Sequence, residues 1–471
     1  MTDTIAAISS PFGEGAIGVL RLSGPNSHAI LGKLFGGKLT TPRQLAHGPL
    51  RKNGVELDSV LATTFAGPKS YTGEDMAEIY CHGGLLVTRR ILDALLEEGA
   101  RLAEPGEFSF RAFSNGKMDL TQAEAVMDVI HAQTDLALRA SQQQLAGRLG
   151  HAMGELRADL LAILAHLEAY IDFPDEDINP ETGELFLTRI ENVATRIEQL
   201  LATADRGRIL REGVRTVIYG EPNVGKSSLL NKLTGFDRAI VSPTPGTTRD
   251  VIEESVNVGG IRLILMDTAG IRVTDDEIEQ QGVARSRKAH DEADLIIEVH
   301  AANLPLSKPP TCSVEPVART TQPDFTSSHR LDATTQSATQ KTLVVANKAD
   351  LGIHPDWTNA NIAAANNHVV LVSCLRETGF DELEAAILRK VLGGDASLEN
   401  ASVAINARHQ HCLSRALTGC RAATTGLRED VAIELISIEL RSALDAIGEV
   451  MGKVESDDIL GEIFATFCIG K

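Results

Sequence analysis

Residues 220–228 read Gly-Glu-Pro-Asn-Val-Gly-Lys-Ser-Ser. They match G-x-x-x-x-G-K-[ST], a loop that cradles nucleotide phosphates. No other feature limits the fold as strongly. The run 214–219 (VRTVIY) before it is suited to a short strand, and 227–233 (SSLLNKL) opens a helix. A strand that feeds a glycine loop into a helix N-terminus aims several backbone N–H groups at one anion. Gly220 and Gly225 permit the tight backbone path, with Val224 and Ser228 completing the loop. Lys226 is expected to reach the β- and γ-phosphates, and the Ser227 hydroxyl to ligate Mg²⁺. A chain with this element is built around a parallel α/β sheet.

The companion motifs identify the base. Asn347-Lys348-Ala349-Asp350 follows the apolar run 343–346. The Asp350 carboxylate can accept hydrogen bonds from N1–H and the 2-amino group of guanine; adenine has neither donor there. Asp267-Thr268-Ala269-Gly270 follows the strand-like run 261–266. Asp267 is expected to hold Mg²⁺ through water, and the Gly270 N–H to meet the γ-phosphate. Gly246-Thr247-Thr248 lies between these motifs, where a switch threonine belongs. Ser373-Cys374 follows the run 368–372, at a place where a backbone N–H meets guanine O6. Any one of these tetrapeptides alone reads equally as a strand-end turn. In this order, together with the phosphate loop, they specify a GTPase domain.

The hydrolytic machinery departs from the common pattern. Many GTPases carry a Gln after D-T-A-G that orients the attacking water. Here that position is Ile271, which cannot. The acidic stretch 272–281 (RVTDDEIEQQ) offers Glu279 for the task, with Asp275, Asp276 and Glu277 as competitors. The same run also reads as a solvated helix start. Arg249 and Arg272 stand near enough in sequence to serve as an arginine finger. Asn223 offers another route, since a side-chain carbonyl in the phosphate loop can ligate potassium beside the phosphates. It reads equally as a turn residue after Pro222.

The 471 residues are enough for about three domains. Net charge is −19, so binding a polyanion requires a local basic patch or a basic partner. Arg206, Arg208 and Arg211 form one small basic cluster. The best apolar run, 160–171, is broken by His166 and Glu168, so no membrane span is expected. The N-terminus lacks a signal or transit pattern and reads as a cytoplasmic start. Cysteines at 81, 312, 374, 412, 420 and 468 form no C-x-x-C pair. His409-x-His411-Cys412 lacks an evident fourth metal ligand and reads as a polar helix face.

Residues 1–118 mix short strand-like runs (16–22, 61–65, 77–81), glycine turns and a helix over 85–98, which predicts an α+β domain. Apolar stripes then follow the helical period: Leu120, Ala123, Met127, Ile130; Met153, Leu156, Leu160, Leu164, Leu167, Ile171; and Ile190, Val193, Ile197, Leu200. The pattern resumes over 402–467, with Val431, Leu435, Ile438 and Ala443. The fold class expected is α/β plus α. A P-loop GTPase domain over 212–392 is inserted in a discontinuous helical domain over 119–211 and 393–471. Residues 303–340, rich in Pro, Thr and Ser, read as a disordered insertion in the GTPase domain.

The motifs and their flanks resemble the MnmE (TrmE) family of tRNA uridine-modification GTPases over nearly the whole chain. The resemblance rests on DTIAAISSPFGEGAIGVLRLSG near the start, SYTGED at 70–75 and CHGG at 81–84. EPGEFSFRAFSNGKMDLTQAEAV at 104–126 and DDILGEIFATFCIGK at 457–471 complete it. It implies that the N-terminal domain binds a tetrahydrofolate derivative, in formyl or methylene form, and drives formation of a homodimer. The folate positions fall on Arg21, Glu78, Lys117 and Lys471; cations suit a glutamate tail and a carboxylate suits pterin donors. The potassium ligands fall on Asn223, Ser242, Thr244 and Thr247, the Mg²⁺ ligands on Ser227 and Thr248, and the water-orienting acid on Glu279.

The resemblance further implies a partner, the FAD-dependent protein MnmG. With it, a carboxymethylaminomethyl or aminomethyl group is added at C5 of wobble uridine in tRNA, the folate supplying one carbon. Cys468 is then a candidate nucleophile, or a sulfur that merely lies near the folate. Three features depart from the family pattern: the length of 303–340, Ser373-Cys374-Leu375 in place of S-A-K/R, and the proline-rich Ser242-Pro243-Thr244-Pro245. Two other readings compete, a ribosome-assembly GTPase and a folate-dependent GTP switch or scaffold. The helical, non-basic sequence after 400 weighs against the first.

Overall fold

The computed structural model describes residues 3–39, 41–172, 183–235, 254–266, 292–305, 341–357, 369–392, 404–429, 431–453 and 457–470. In chain order the first elements are β1 (Ile5–Ile8), β2 (Gly15–Ser23), α1 (Ser27–Leu34), β3 (Ala46–Lys52), β4 (Val55–Phe65), β5 (Met76–Gly83), α2 (Leu85–Glu97), β6 (Arg101–Leu102) and α3 (Glu107–Ser114). The helices α4 (Leu120–His131), α5 (Asp135–Leu145), α6 (Arg148–Asp172), α7 (Gly183–Leu201) and α8 (Ala204–Glu212) follow. Next come β7 (Val214–Gly220), α9 (Lys226–Gly235), β8 (Glu254–Val258), β9 (Ile261–Leu265), β10 (Leu295–Ala301), β11 (Thr342–Asn347), β12 (Val369–Leu371) and α10 (Phe380–Leu392). The chain closes with α11 (Ala407–Arg428), α12 (Ile433–Val450) and α13 (Asp457–Ala465). Two compact units result. One takes Met1–Ile130, Gln142–Leu201 and Arg408–Lys471; the other takes His131–Ser141 and Ala202–Ala407.

The first unit holds a six-stranded sheet of order β3-β4-β5-β2-β1-β6, antiparallel except for the β1–β6 pair. Alternation decides its two faces. Leu20 and Leu22 of β2, with Ala77, Ile79 and Cys81 of β5, join Leu31, Ile91 and Leu95 of α1 and α2 in one core. Arg21, Glu78 and Tyr80 therefore occupy the opposite face. Arg111 of α3 is 1% exposed and is neutralised in place. It donates to Glu107 at 2.8 Å, to Asp3 at 2.9 Å and to Glu74 at 3.1 Å.

The helical stripes of the same unit bury mostly as expected. Leu120, Ala123 and Met127 are buried, but Ile130 is exposed. Met153, Leu156, Leu160, Leu164 and Leu167 line α6, and Ile190, Val193 and Ile197 line α7. The expected stripe of Val431, Leu435, Ile438 and Ala443 is mostly the wrong one. Val431, just before α12, and Leu435 and Ile438 on it are exposed; of that set only Ala443 is buried, together with Ile436, Leu440 and Ile447. The segment carries apolar residues on two faces, and periodicity alone cannot choose between them. Packing against α6, with Arg441 paired to Glu168 at 2.6 Å, selects the second face.

His409 corrects the polar-face reading of 409–412. It is fully buried, with Nε2 at 2.7 Å from Glu124 Oε2. Arg408 donates to both oxygens of Glu124, at 2.9 and 3.1 Å, and to the carbonyls of Glu449 and Val450. Among the described residues no group of His, Cys, Asp and Glu has the arrangement of a metal site.

The second unit contains a six-stranded sheet of order β12-β11-β10-β7-β9-β8. All pairs are parallel except β8–β9, a hairpin turned by Gly259 and Gly260 at φ 58° and 83°. Strands with both faces covered read as continuous apolar runs, as Leu343, Val344, Val345 and Ala346 do. The arginines of the 206–211 cluster take part in internal bonds. Arg208 pairs with Asp294, and Arg206 donates to the Leu392 carbonyl. No helix among the described residues is long and apolar enough to cross a membrane.

The Glu124 site gives a stability prediction. Burial alone would raise its pKa, but the charges and hydrogen bonds of His409 and Arg408 outweigh this and lower it to about 2. The resulting stabilisation is present above the ordinary carboxylate range and is lost as pH falls from about 4 toward 2. Glu124→Ala leaves the fully buried His409 ring and the partly buried Arg408 guanidinium without their carboxylate partner and is expected to cost about 3 kcal/mol in urea unfolding at neutral pH. An unchanged unfolding midpoint would contradict this role.

Candidate functional site

The site forms at the C-terminal ends of β7, β10 and β11, where the strands leave the sheet. Gly220 is the last residue of β7 and pairs in register with Val299. It has φ 153°, and a Cβ there would fall 2.2 Å from the Val299 carbonyl, so only glycine fits. The loop then turns through Asn223, at φ 62°, into α9. Asn tolerates this left-handed conformation, which supports the turn reading of that residue. Lys226 begins α9 and folds back over the loop, donating to the carbonyls of Gly220 at 2.9 Å and Glu221 at 2.7 Å. Burial pulls its ammonium below the ordinary lysine range. A bound polyphosphate would favour the charged form.

Asn347 ends β11 and is 2% exposed. Its Nδ2 donates to the Val224 carbonyl at 3.0 Å, and its Oδ1 accepts from the Cys374 N–H at 3.2 Å. One amide thus joins the phosphate loop to the loop after β12. Gly225 must be glycine for the same reason, because a Cβ would lie 2.2 Å from Asn347 Nδ2. Lys348, at φ 63°, sends its Nζ to the Asn223 carbonyl at 2.6 Å. Ser373 Oγ donates to Asp350 Oδ1 at 2.5 Å, fixing one carboxylate oxygen.

Of the residues read from sequence, Asn223, Val224, Gly225, Lys226, Asn347, Lys348, Asp350, Ser373 and Cys374 are tied together by these contacts, and Ser227 and Ser228 follow at the start of α9. Ser242, Thr244, Gly246, Thr247, Thr248 and Arg249 lie outside the described residues, as do Asp267, Thr268, Ala269, Gly270 and Ile271. So do Arg272, Asp275, Asp276, Glu277 and Glu279, most of the 303–340 insertion, and Lys471. Sequence reasoning missed the ion pair of Lys232 on α9 with Glu377 in the loop after β12. No local pattern marks two residues so far apart as partners.

In the first unit, Arg21 and Glu78 are cross-strand partners, with Nε at 2.8 Å from Oε1. Two tyrosines not singled out in the sequence complete this group. The Arg21 guanidinium lies 5.6 Å from the Tyr71 ring centroid, and Tyr80 donates to Glu78 Oε2 at 2.5 Å. Burial, and then the Glu78 carboxylate, push the Tyr80 phenol up to about 12. Lys117 donates instead to the Pro68 carbonyl at 3.0 Å. Cys468 is exposed and its thiol is free. Its tail is anchored where Ser9 Oγ donates to the Gly470 carbonyl at 3.0 Å.

Comparison with known proteins gives a consistent result. Residues 4–117 match the family described as the GTP-binding protein TrmE N-terminus, and residues 120–468 match the MnmE helical domain. A tRNA modification GTPase MnmE of Akkermansia muciniphila is 46% identical, over 100% of both chains. One from Geobacillus thermodenitrificans is 42% identical over 100% of this chain and 99% of its own. Another, from Bacillus licheniformis, is 41% identical over 100% of both. The FeoB G-domain of Methanococcus jannaschii aligns over 38% of this chain and 97% of its own, with 21% identity and a TM-score of 0.23. The matched regions, the full-length identity and the tied GTPase motifs agree: the chain belongs to the MnmE family of tRNA modification GTPases.

Proposed function

We propose that this GTPase acts on wobble uridine of tRNA, together with an FAD-dependent partner of the MnmG type, to install an aminomethyl-type group at C5. A tetrahydrofolate derivative supplies the one-carbon unit. The observation that carries the reading is full-length similarity to tRNA modification GTPases, joined to a nucleotide site whose base and phosphate loops share one buried amide. Within the site, Lys226 and the backbone of 220–228 hold the phosphates, and Asp350 reads the guanine edge. Ser227 and Thr248 supply hydroxyl oxygens, hard donors that suit Mg²⁺. Asn223, Ser242, Thr244 and Thr247 supply carbonyl and hydroxyl oxygens that suit potassium, which contributes positive charge near the transferring phosphoryl. Glu279 takes the place that Ile271 cannot fill and orients the attacking water.

The paired face of Arg21 and Glu78, flanked by Tyr71 and Tyr80, suits a planar heterocycle with an anionic tail. Glu78 is held by Arg21 and Tyr80 yet keeps further lone pairs for ring N–H donors. Lys117 and Lys471 supply cationic charge for the tail. Cys468 acts either as a nucleophile or as a neighbour of the folate. The domain boundaries proposed are 1–118, 119–211 with 393–471, and 212–392. The protein is proposed to be a cytoplasmic homodimer. The described residues after 404 form helices rather than a mixed α/β RNA-binding module, which supports modification over ribosome assembly.

Asp350→Asn is expected to weaken GDP at least about 100-fold and to favour xanthosine diphosphate, because an amide can donate to the xanthine 2-carbonyl. Competitive binding measurements check this. GTP turnover should be about tenfold or more faster in potassium than in sodium. Equal rates would count against the cation ligands. Nucleoside analysis of tRNA from cells lacking this protein should show unmodified wobble uridines; an unchanged profile would overturn the proposed function.

A further inference from the structure

The β8–β9 hairpin joins the switch-threonine motif to the motif expected to meet the γ-phosphate. In sequence it follows Gly246-Thr247-Thr248 and runs into Asp267-Thr268-Ala269-Gly270. Its turn is held by two leucines from different helices. A Cβ on Gly259 would fall 2.7 Å from Leu388 Cδ1 of α10, and one on Gly260 would fall 2.7 Å from Leu136 Cδ1 of α5. Both glycines have positive φ and leave no room between backbone and leucine. Leu136 is therefore packed directly on the hairpin tip. It stands in the first turn of α5, which Thr134 caps from a buried position: the Thr134 Oγ1 accepts from the Ala137 N–H at 3.2 Å.

The other end of α5 has different partners. Residues 135–141 of this helix belong to the second unit and 142–145 to the first. Gln144 is buried and donates Nε2 to the Thr121 carbonyl at 3.1 Å; Gln122 Nε2 donates to the Leu145 carbonyl at 2.9 Å. The end of α5 and the start of α4 are thus bonded in both directions. On α4, Leu120, Ala123 and Met127 share a core with Phe464 and Phe467, the latter directly before Cys468. One unbroken helix therefore leads from the hairpin tip to the elements that hold the C-terminal tail. A hydrogen-bonded helix with packed, bonded ends carries a displacement from one end to the other.

We propose that Leu136 is a positioning residue that couples the nucleotide state to the first unit. When a bound γ-phosphate engages the two motifs, the hairpin between them is drawn against Leu136, and α5 passes the change through Gln144 and Gln122 to α4. The γ-phosphate is the natural trigger, since its loss releases such motifs in GTP switches. The proposal rests on the guanine-nucleotide reading of the phosphate loop. By reciprocity, a ligand that fixes α4 and the C-terminal tail changes GTP affinity by the same factor.

The test is hydrogen exchange of the full chain, read by mass spectrometry with Mg²⁺ and potassium present. GDP is compared with a non-hydrolysable GTP analogue in the parent, Leu136→Ala and Leu136→Met. In the parent the analogue is expected to slow exchange over 120–125 and 142–147 about fivefold relative to GDP. Leu136→Ala should cut that difference below about twofold while the difference over 254–265 remains. Leu136→Met, which keeps apolar bulk against Gly260, should restore it. A parent with no nucleotide-dependent difference over 120–125 and 142–147 overturns the proposal, as does a Leu136→Ala variant whose difference equals the parent's. A Leu136→Ala variant that also loses the difference over 254–265, or a Met variant that behaves like the Ala variant, overturns it too. Absence of protection over 220–228 by either nucleotide overturns the guanine-nucleotide reading itself, and the coupling with it.

Discussion

The nucleotide site depends on the side chain of Asn347. Its amide contacts both the phosphate loop, through the Val224 carbonyl, and the loop after β12, through the Cys374 N–H. Both bonds are made in a buried position, where a lost partner would leave an unsatisfied polar group. The parallel registers of β7, β10, β11 and β12 bring the loops after β7, β11 and β12 to one edge of the sheet. Asn347 then fixes their spacing. Gly225 is restricted to glycine by the same contact, so one interaction explains two of the motif residues.

The first unit uses charge in a comparable way. Its buried ions are neutralised in place: Arg111 by Asp3, Glu74 and Glu107, and Glu124 by Arg408 and His409. Each cluster ties together segments far apart in the chain. Glu124 lies on α4, and its partners open α11, so the ion cluster closes a helical assembly from two ends of the sequence. Replacing such a pair by apolar residues can be neutral, but removing one member is costly. The clusters therefore specify which segments meet, while the stripes of α6, α7 and α12 bury apolar side chains.

Much of the site was legible in the sequence because the chemistry of phosphate and guanine recognition demands particular residues at particular spacings. Gly220, Lys226, Asn347 and Asp350 were all readable in this way. The strands carrying them were also readable, since the parallel sheet requires near-continuous apolar runs. Leu435 and Ile438 of the α12 stripe were misread, though Ala443 was not, because two faces of that helix are apolar and only its packing partner distinguishes them. His409 was misread as polar surface because its partner, Glu124, is remote in sequence. Tyr71 and Tyr80 escaped notice because an aromatic residue in a strand carries no mark of the ion pair it flanks.

The sequence by itself determined the glycine-lysine phosphate-loop motif, the Asn-Lys-Ala-Asp motif at 347–350 and the presence of Ile271 where many GTPases carry glutamine. These are local: each follows from residue type and spacing along one stretch of chain. The tertiary structure decided which loops share Asn347, which helix face is buried, how Glu124 stays ionised, and that Ser373 holds Asp350. Those properties depend on contacts between distant residues, whose free energy is set by burial and partnership and is not encoded in any single segment.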